Sequence, residues 1–361
     1  MGRIHQLAIL TGLLSASWAG VQRSAPVYHD KADLLYYLDP KGRARAVRKA
    51  SDWEVRRSHI LANMQEVMGV LPEPSQEPLD VRFLRTEESS SYRLHKITYV
   101  SERWENGPDR VPAWLLVPKQ LKPDRTAPAA VCLHQTTKIG KDSPAGLGGP
   151  PSLFYAKELA ERGFVTVVPD YPNFGEYQVD PYAHGYVSAT MKGIVNHRRA
   201  VDVLRSRPEV HPERIAAIGH SLGGHNALFL AAFDPRVKAV VTSCGFCSFR
   251  KYMKGDLTGW SHKGYMPRIA DRYGKDPYQM PFDFTELLGS LAPRAVFVVA
   301  PLHDSNFDVE GVRECQRAAG PLYDEVFRTK DRLVFQFPDA EHQFPDPSRK
   351  AAYDFLARCL D

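Results

Sequence analysis

Long apolar runs are scarce in this chain, and so are cysteines. The principal apolar stretch lies at the N-terminus, Leu7-Ala-Ile-Leu-Thr-Gly-Leu-Leu14. It is too short to cross a bilayer, and no other segment approaches the roughly 18 residues a span requires. Arg3 and His5 precede it and small residues at Ser17 and Ala19 follow. This is the pattern of an export signal over residues 1–19, cleaved after Ala19, with the protein then secreted or periplasmic. The five cysteines, Cys132, Cys244, Cys247, Cys315 and Cys359, allow at most two disulfides and leave one thiol over, which excludes a disulfide-built fold. Cys244-Gly-Phe-Cys247 has redox or zinc-like spacing, but no second pair accompanies it, so it reads as packing. None of the 13 histidines falls in an H-E-x-x-H or similar pattern, so a metal-dependent hydrolase has no support. A net charge of +5 is too small to argue for nucleic acid. The densest basic run, Lys41 to Arg57, contains the start of an amphipathic helix and reads as a solvated helix face. Internal repeats and low-complexity stretches are absent.

What is present is an ordinary globular composition, 43% hydrophobic and 25% charged, which suits one large α/β domain or two small ones. Residues 20–78 form an N-terminal extension. Within it Ser51-Asp-Trp-Glu54 has the form of a capping box, and Trp53, Ile60, Met64, Val67, Met68 and Leu71 recur at helical spacing. From residue 79 the pattern changes to extended runs at Asp80–Arg85, Tyr92–Ser101 and Val111–Pro118. The turn signal Glu105-Asn-Gly-Pro-Asp109 separates the last two. Strand and helix then alternate to the C-terminus, and most of the later strands are continuous apolar runs, as expected where helices cover both sheet faces. The expected architecture is a mostly parallel central sheet of about eight strands within 79–361. One long segment, 249–294, interrupts the alternation. It exceeds the dozen or so residues a crossover needs, so part of it is expected to hang over the strand ends as a partial cap.

The chemistry gathers at Arg214-Ile-Ala-Ala-Ile-Gly-His-Ser-Leu-Gly-Gly-His225. A buried strand meets Gly219-His-Ser-Leu-Gly223, and a helix follows, which is the context a G-x-S-x-G nucleophile elbow requires. Gly219 and Gly223 leave room for a strained turn that lifts the Ser221 hydroxyl above the sheet. The first helical N–H groups, Leu222 among them, lack intrahelical acceptors and can hold an oxyanion. A serine needs a base, and the base an acid to orient it. Two later strand ends supply them: Ala295-Val-Phe-Val-Val-Ala-Pro-Leu-His-Asp304 and Leu333-Val-Phe-Gln-Phe-Pro-Asp-Ala-Glu-His342. Asp304 and Asp308 both follow the first of these strands. Reach favours Asp304 as the acid, and Asp308 is placed to cap a helix beginning near Val309. The second oxyanion donor falls by position on Thr136, in the loop His134-Gln-Thr-Thr-Lys138. Gln135, Tyr171, His220 and Trp260 are the candidate substrate contacts. Asp170 either lines the mouth or fixes its own loop.

From about Tyr92 to Leu360 the chain resembles α/β-hydrolases of the dienelactone hydrolase and acetyl xylan esterase-like groups. The resemblance rests on Gly219-His-Ser-Leu-Gly-Gly224, Leu291-Ala-Pro-Arg294, Ala300-Pro-Leu-His-Asp304 and Ala340-Glu-His342. It implies hydrolysis of a carboxylic ester, small or carbohydrate-linked, with neither metal nor cofactor. Dienelactone hydrolases usually carry a cysteine where this chain has Ser221, and Gln135 stands where many relatives have glycine. Two other readings compete. One is a serine peptidase of the prolyl-oligopeptidase type, although such enzymes place a β-propeller before the hydrolase domain and the roughly 60 residues ahead of the first strands are too few for one. The other is a non-catalytic binding protein on the same scaffold.

Overall fold

The computed structural model describes residues 25–361, so the export segment lies outside the described residues. In chain order the strands are β1 (Tyr36–Leu38), β2 (Ala44–Ala46), β3 (Arg82–Glu88), β4 (Tyr92–Trp104), β5 (Gly107–Pro118), β6 (Ala127–Leu133), β7 (Val165–Pro169), β8 (Val210–His220), β9 (Val237–Ser243), β10 (Ala295–Val299) and β11 (Leu333–Gln336). The helices are α1 (Ala50–Met68), α2 (Tyr155–Glu161), α3 (Ala189–Ser206), α4 (Leu222–Phe233), α5 (Arg268–Asp271), α6 (Phe284–Gly289), α7 (Val309–Pro321) and α8 (Asp346–Leu360).

Nine strands make one sheet in the order β11-β10-β9-β8-β6-β7-β5-β4-β3. From β7 through β11 neighbouring strands run parallel, and β5, β4 and β3 continue the sheet antiparallel. Side chains alternate across the pleat, so successive residues of β8 feed opposite cores. Ile215 and Ala217 join the side chains of α1, α3, α4 and α6, whereas Ala216 and Ile218 meet those of α2 and α8. Helices on both faces explain why the central strands are apolar throughout. The chain leaves β6 to one side for β7 and returns on the other for β8. That reversal opens a crevice at the carboxyl ends of β6 and β8, where open α/β sheets bind ligands.

Two local expectations change. Helix α1 starts at Ala50 with Lys49 as N-cap and no side-chain cap, so Ser51 falls inside the first turn and the capping box does not form. The β4–β5 turn is tighter than its sequence signal: Trp104 pairs with Gly107, leaving Pro108 and Asp109 within β5. Gly107 takes φ 124°, which lets the chain reverse within two residues.

The N-terminal extension is a β1–β2 hairpin followed by α1, which buries Trp53, Ile60, Met64 and Val67, each worth roughly 2 kcal/mol. It docks on α6 through charge. Arg56, fully buried, donates from Nη2 to Glu286 Oε1 at 2.8 Å and stacks on Tyr28, while Arg57 Nε donates to the Ser290 carbonyl. Truncating Glu286 would strand a buried guanidinium, at a cost of about 3–5 kcal/mol. The 249–294 segment turns most of its aromatics inward: Trp260, Phe282 and Phe284 are buried, and Tyr278 alone of its large aromatics stands fully out.

Candidate active site

Strand β8 ends in the turn that its sequence requires. Ser221 holds φ 54° and ψ −119°, outside the regions a serine prefers, and such strain costs about 1–3 kcal/mol. The turn is possible because its neighbours lack side chains. A Cβ on Gly219 would stand 2.2 Å from the Gly223 carbonyl carbon, and one on Gly223 would stand 1.8 Å from the Leu133 oxygen. Ser221 N donates to the Ser243 carbonyl at 2.8 Å, tying the turn to the end of β9.

His342 and Asp304 meet across the ends of β10 and β11. Nδ1 of His342 donates to Asp304, 2.9 Å from Oδ1 and 3.0 Å from Oδ2. Asp304 Oδ1 also accepts from the backbone N–H of Asn306 at 2.8 Å and Phe307 at 3.1 Å. Burial pushes this carboxyl up, but the hydrogen bond and charge of His342 with the two N–H groups outweigh it, and the net shift is downward. Asp308 is placed otherwise: its Oδ1 accepts from Glu310 N at 2.7 Å, as N-cap of α7. With Nδ1 protonated toward Asp304, His342 Nε2 carries the lone pair. Nε2 has no hydrogen-bond partner among the described residues, Ser221 included; such contacts commonly close only around a substrate. His220 packs its ring 4.9 Å from that of His342, and burial depresses it to about 3, so it stays neutral there.

The Leu222 and Thr136 N–H groups have no acceptor among the described residues. Leu222 is the first residue of α4, where the helix leaves N–H groups free and partly positive. Thr136 sits on a loop fixed by a buried charge cluster. Asp170 accepts at Oδ1 from Lys141 N (2.8 Å) and at Oδ2 from Lys141 Nζ (2.8 Å) and Glu176 N (3.0 Å). Gly140 and Gly175 close on this carboxylate so tightly that a Cβ on either would lie within 2.2 Å of it. Burial pulls the Lys141 ammonium down, but Asp170 and Glu176 overcome it and the net shift is upward. Asp170 therefore fixes its loop and, with it, the loop of Thr136. His134 adds a second tie, with Nδ1–H donating to the Gln135 carbonyl and Nε2 accepting from Tyr171 N at 3.0 Å.

The remaining candidate contacts are placed differently. Gln135 turns its Nε2 back to Ser143 Oγ at 2.9 Å and leaves its Oε1 buried without a partner. Tyr171 is buried, its hydroxyl donating to the Gly264 carbonyl at 3.0 Å. Trp260 is buried against His225, ring centroids 4.7 Å apart. Both build the wall behind the crevice rather than its surface. Sequence reasoning missed Tyr265, whose hydroxyl lies 3.4 Å from Thr136 Oγ1 and brings the long crossover to the Thr136 loop. Cys244, read from the sequence as packing, also lies beside the His342–Asp304 pair. At φ 48°, its N–H donates to the Val299 carbonyl and its thiol to the Gln343 carbonyl at 3.2 Å, with Sγ within 4.8 Å of Asp304 and His342 side-chain atoms. No local signal marks either contact, since each joins segments far apart in sequence. All five cysteines are free thiols. A cavity of about 360 Å³ lined by Thr136, Lys138, Asn173, Phe174 and Gln178 opens beside the loop.

A match to the prolyl oligopeptidase family spans residues 152–361, more than half of the chain. The chain belongs to the prolyl oligopeptidase family. Membership makes it a hydrolase of the α/β-hydrolase fold, the superfamily to which the sequence resemblance pointed; the family itself is the one named there as a competing reading. Within curated proteins it is similar to YtaP of Bacillus subtilis (strain 168), named as a hydrolase, at 25% identity over 264 residues, 69% of this chain and 83% of YtaP. Solved structures share the fold at lower identity. A glucuronoyl esterase from Solibacter usitatus superposes with TM-score 0.70 at 18% identity, covering 92% of this chain and 98% of that one. A CE15 glucuronoyl esterase from Teredinibacter turnerae T7901 does so with TM-score 0.70 at 20% identity, covering 90% and 88%. Among the described residues of this family member, no helix is long and apolar enough to cross a membrane.

Proposed function

We propose that this protein is a serine esterase that cleaves small or carbohydrate-linked carboxylic esters through Ser221, His342 and Asp304. The observation that carries the reading is the His342 Nδ1–Asp304 pair at 2.9 and 3.0 Å, which leaves the Nε2 lone pair available to a serine on a strained elbow. In this mechanism Nε2 takes the Ser221 proton as Oγ attacks the ester carbonyl. Asp304 stabilises the imidazolium that forms. The Leu222 and Thr136 N–H groups hold the oxyanion, worth about 10²–10³ in rate per donor. His342 then gives its proton to the departing alkoxide, leaving an acyl-enzyme, and repeats the cycle with water. His342 relays the Ser221 proton to the alcohol and the proton of the attacking water back to Ser221, so these residues and water balance the reaction without a cofactor.

Two observations favour esters. The solved structures that match this chain over nine-tenths of its length include glucuronoyl esterases, and the cavity beside Thr136 has Lys138, Asn173 and Gln178 in its lining, side chains able to hydrogen-bond a sugar. Membership in the prolyl oligopeptidase family favours a second reading, peptide hydrolysis by the same residues. Turnover of p-nitrophenyl acetate against a prolyl-peptide p-nitroanilide separates the two, followed by a panel of acetylated, feruloylated and methyl-glucuronate esters. Cleavage of the peptide substrate with no ester turnover would move the assignment to a peptidase; inertness to both with retained ligand binding would make it a binding protein. We also propose export, supported by the sequence of residues 1–19, with the mature chain beginning near Gly20. An intact Met1 or Gly2 on protein from the native host would argue against it.

A further inference from the structure

Cys244 takes no part in the proposed reaction, yet its surroundings are specific. Its Sγ, an Asp304 oxygen and a His342 ring nitrogen all lie within 4.8 Å of one another. We infer that these three side chains form a binding site for a thiophilic divalent cation, with Zn²⁺ the best match, and that the bound cation switches hydrolysis off.

The donor set suits this ion. Zinc takes thiolate, imidazole and carboxylate together, at about 2.3 Å to sulfur and about 2.0–2.2 Å to nitrogen or oxygen. Tetrahedral ligands then lie roughly 3.3–3.6 Å apart, so the thiol need close by about an ångström and the His342–Asp304 pair, at 2.9–3.0 Å, open by a few tenths. One thiolate and one carboxylate neutralise the dication. The site is built rather than improvised: Cys244 is pinned by its own backbone bond to Val299 and its thiol bond to Gln343, the residue after His342. Asp304 is held by Asn306 and Phe307. Access is from the histidine side, where the His342 side chain is 30% exposed while that of Asp304 is 1% exposed.

Binding changes protonation in a defined way. The Sγ–H bond breaks and its proton leaves to solvent. The Nδ1 proton of His342 moves to Nε2 as Nδ1 takes the metal, and the hydrogen bond to Asp304 is exchanged for an Asp304–metal bond. No group is oxidised or reduced. A histidine protonated at Nε2 cannot accept the Ser221 proton, so hydrolysis stops. This consequence rests on the esterase reading; the cation site itself does not.

The test uses the full chain stripped with EDTA and desalted. Zn²⁺ is expected to abolish p-nitrophenyl acetate hydrolysis at one bound equivalent, with recovery on adding EDTA. Cys244→Gly, which suits the positive φ, and Cys244→Ala are each expected to require at least about 10²-fold more Zn²⁺, relative to their own metal-free rates. Titration with Co²⁺ gives a readout independent of activity. A thiolate-to-cobalt charge-transfer band is expected in the wild type and in Ser221→Ala, and not in either Cys244 variant. That band in a chain inactive on every ester would keep the cation site and sink the esterase reading. No band in the wild type, or Zn²⁺ potency unchanged in both Cys244 variants, overturns the inference.

Discussion

Replacing Asp304 with asparagine should lower kcat about 10⁴-fold at pH 7 while leaving KM and the fold nearly intact. The structure gives the reason. Asp304 Oδ1 holds the Asn306 and Phe307 N–H groups, and an amide oxygen at that position still accepts both. The loop therefore keeps its shape. What changes is Oδ2, 3.0 Å from His342 Nδ1: it becomes an NH₂ group that donates to Nδ1 and favours the imidazole proton on Nε2, while the Oδ1 that remains is already shared with two backbone N–H groups and has lost its charge. The base is then in the wrong tautomer, and the loss of about 10⁴ corresponds to roughly 5.5 kcal/mol of barrier. Asp308→Asn is the matched control. Its oxygen still accepts from Glu310 N, so only the charge at the start of α7 is lost, about 1 kcal/mol of stability or less. Steady-state kinetics on p-nitrophenyl acetate with thermal melts of both variants decides the matter. Asp304→Asn within tenfold of wild type, or the loss appearing in Asp308→Asn instead, refutes the argument.

Further outcomes follow from the buried charges. Lys141→Met leaves Asp170 charged and unpaired, so stability should fall by about 3–5 kcal/mol, and kcat should fall on the order of 10²-fold with little change in KM as Thr136 loses its place. Adding Asp170→Asn should restore most of the stability in urea melts but not the rate; if both return, the clamp has no bearing on the oxyanion loop. Asp283 predicts a pH dependence. Burial raises its pKa from 3.8 to about 6, against the Phe249 and Phe284 N–H groups, which lower it. Its contribution is fully present below the unfolded value and is lost as pH rises to about 6, by about 3 kcal/mol in all. Asp283→Asn, which keeps an oxygen for both N–H groups, should flatten stability between pH 4 and 8 relative to wild type; an unchanged slope would rule this group out.

The parts legible in the sequence were those in which one residue type is the only physical solution at its position. Gly219 and Gly223 mark the elbow because any side chain there would occupy backbone already in place. Asp304 and His342 could be found because strands of a parallel sheet end on the same side, so counting past each strand end gives reach. The expected sheet of about eight strands has nine. What failed was whatever depends on orientation. Trp260 and Tyr171 have the chemistry of sugar contacts, but facing inward is a consequence of the crossover's path and leaves no local trace. Ser51 and Glu54 have capping-box spacing, yet the N-cap of α1 is Lys49, two residues earlier, and the signal is spent inside the helix. The Tyr265–Thr136 and Cys244–Gln343 contacts span 129 and 99 residues, distances over which periodicity carries no information.

The central claim is that the Ser221 oxygen is the nucleophile, and active-site labelling tests it most directly. The intact protein is treated with a fluorophosphonate and digested, and the modified peptide is sequenced by mass spectrometry. The same treatment is applied to Ser221→Ala alongside p-nitrophenyl acetate kinetics. The account predicts a single adduct on Ser221, none on the variant, and a fall in turnover on the order of 10⁶-fold. An adduct on another residue, or a Ser221→Ala protein that keeps most of its esterase activity, would contradict it.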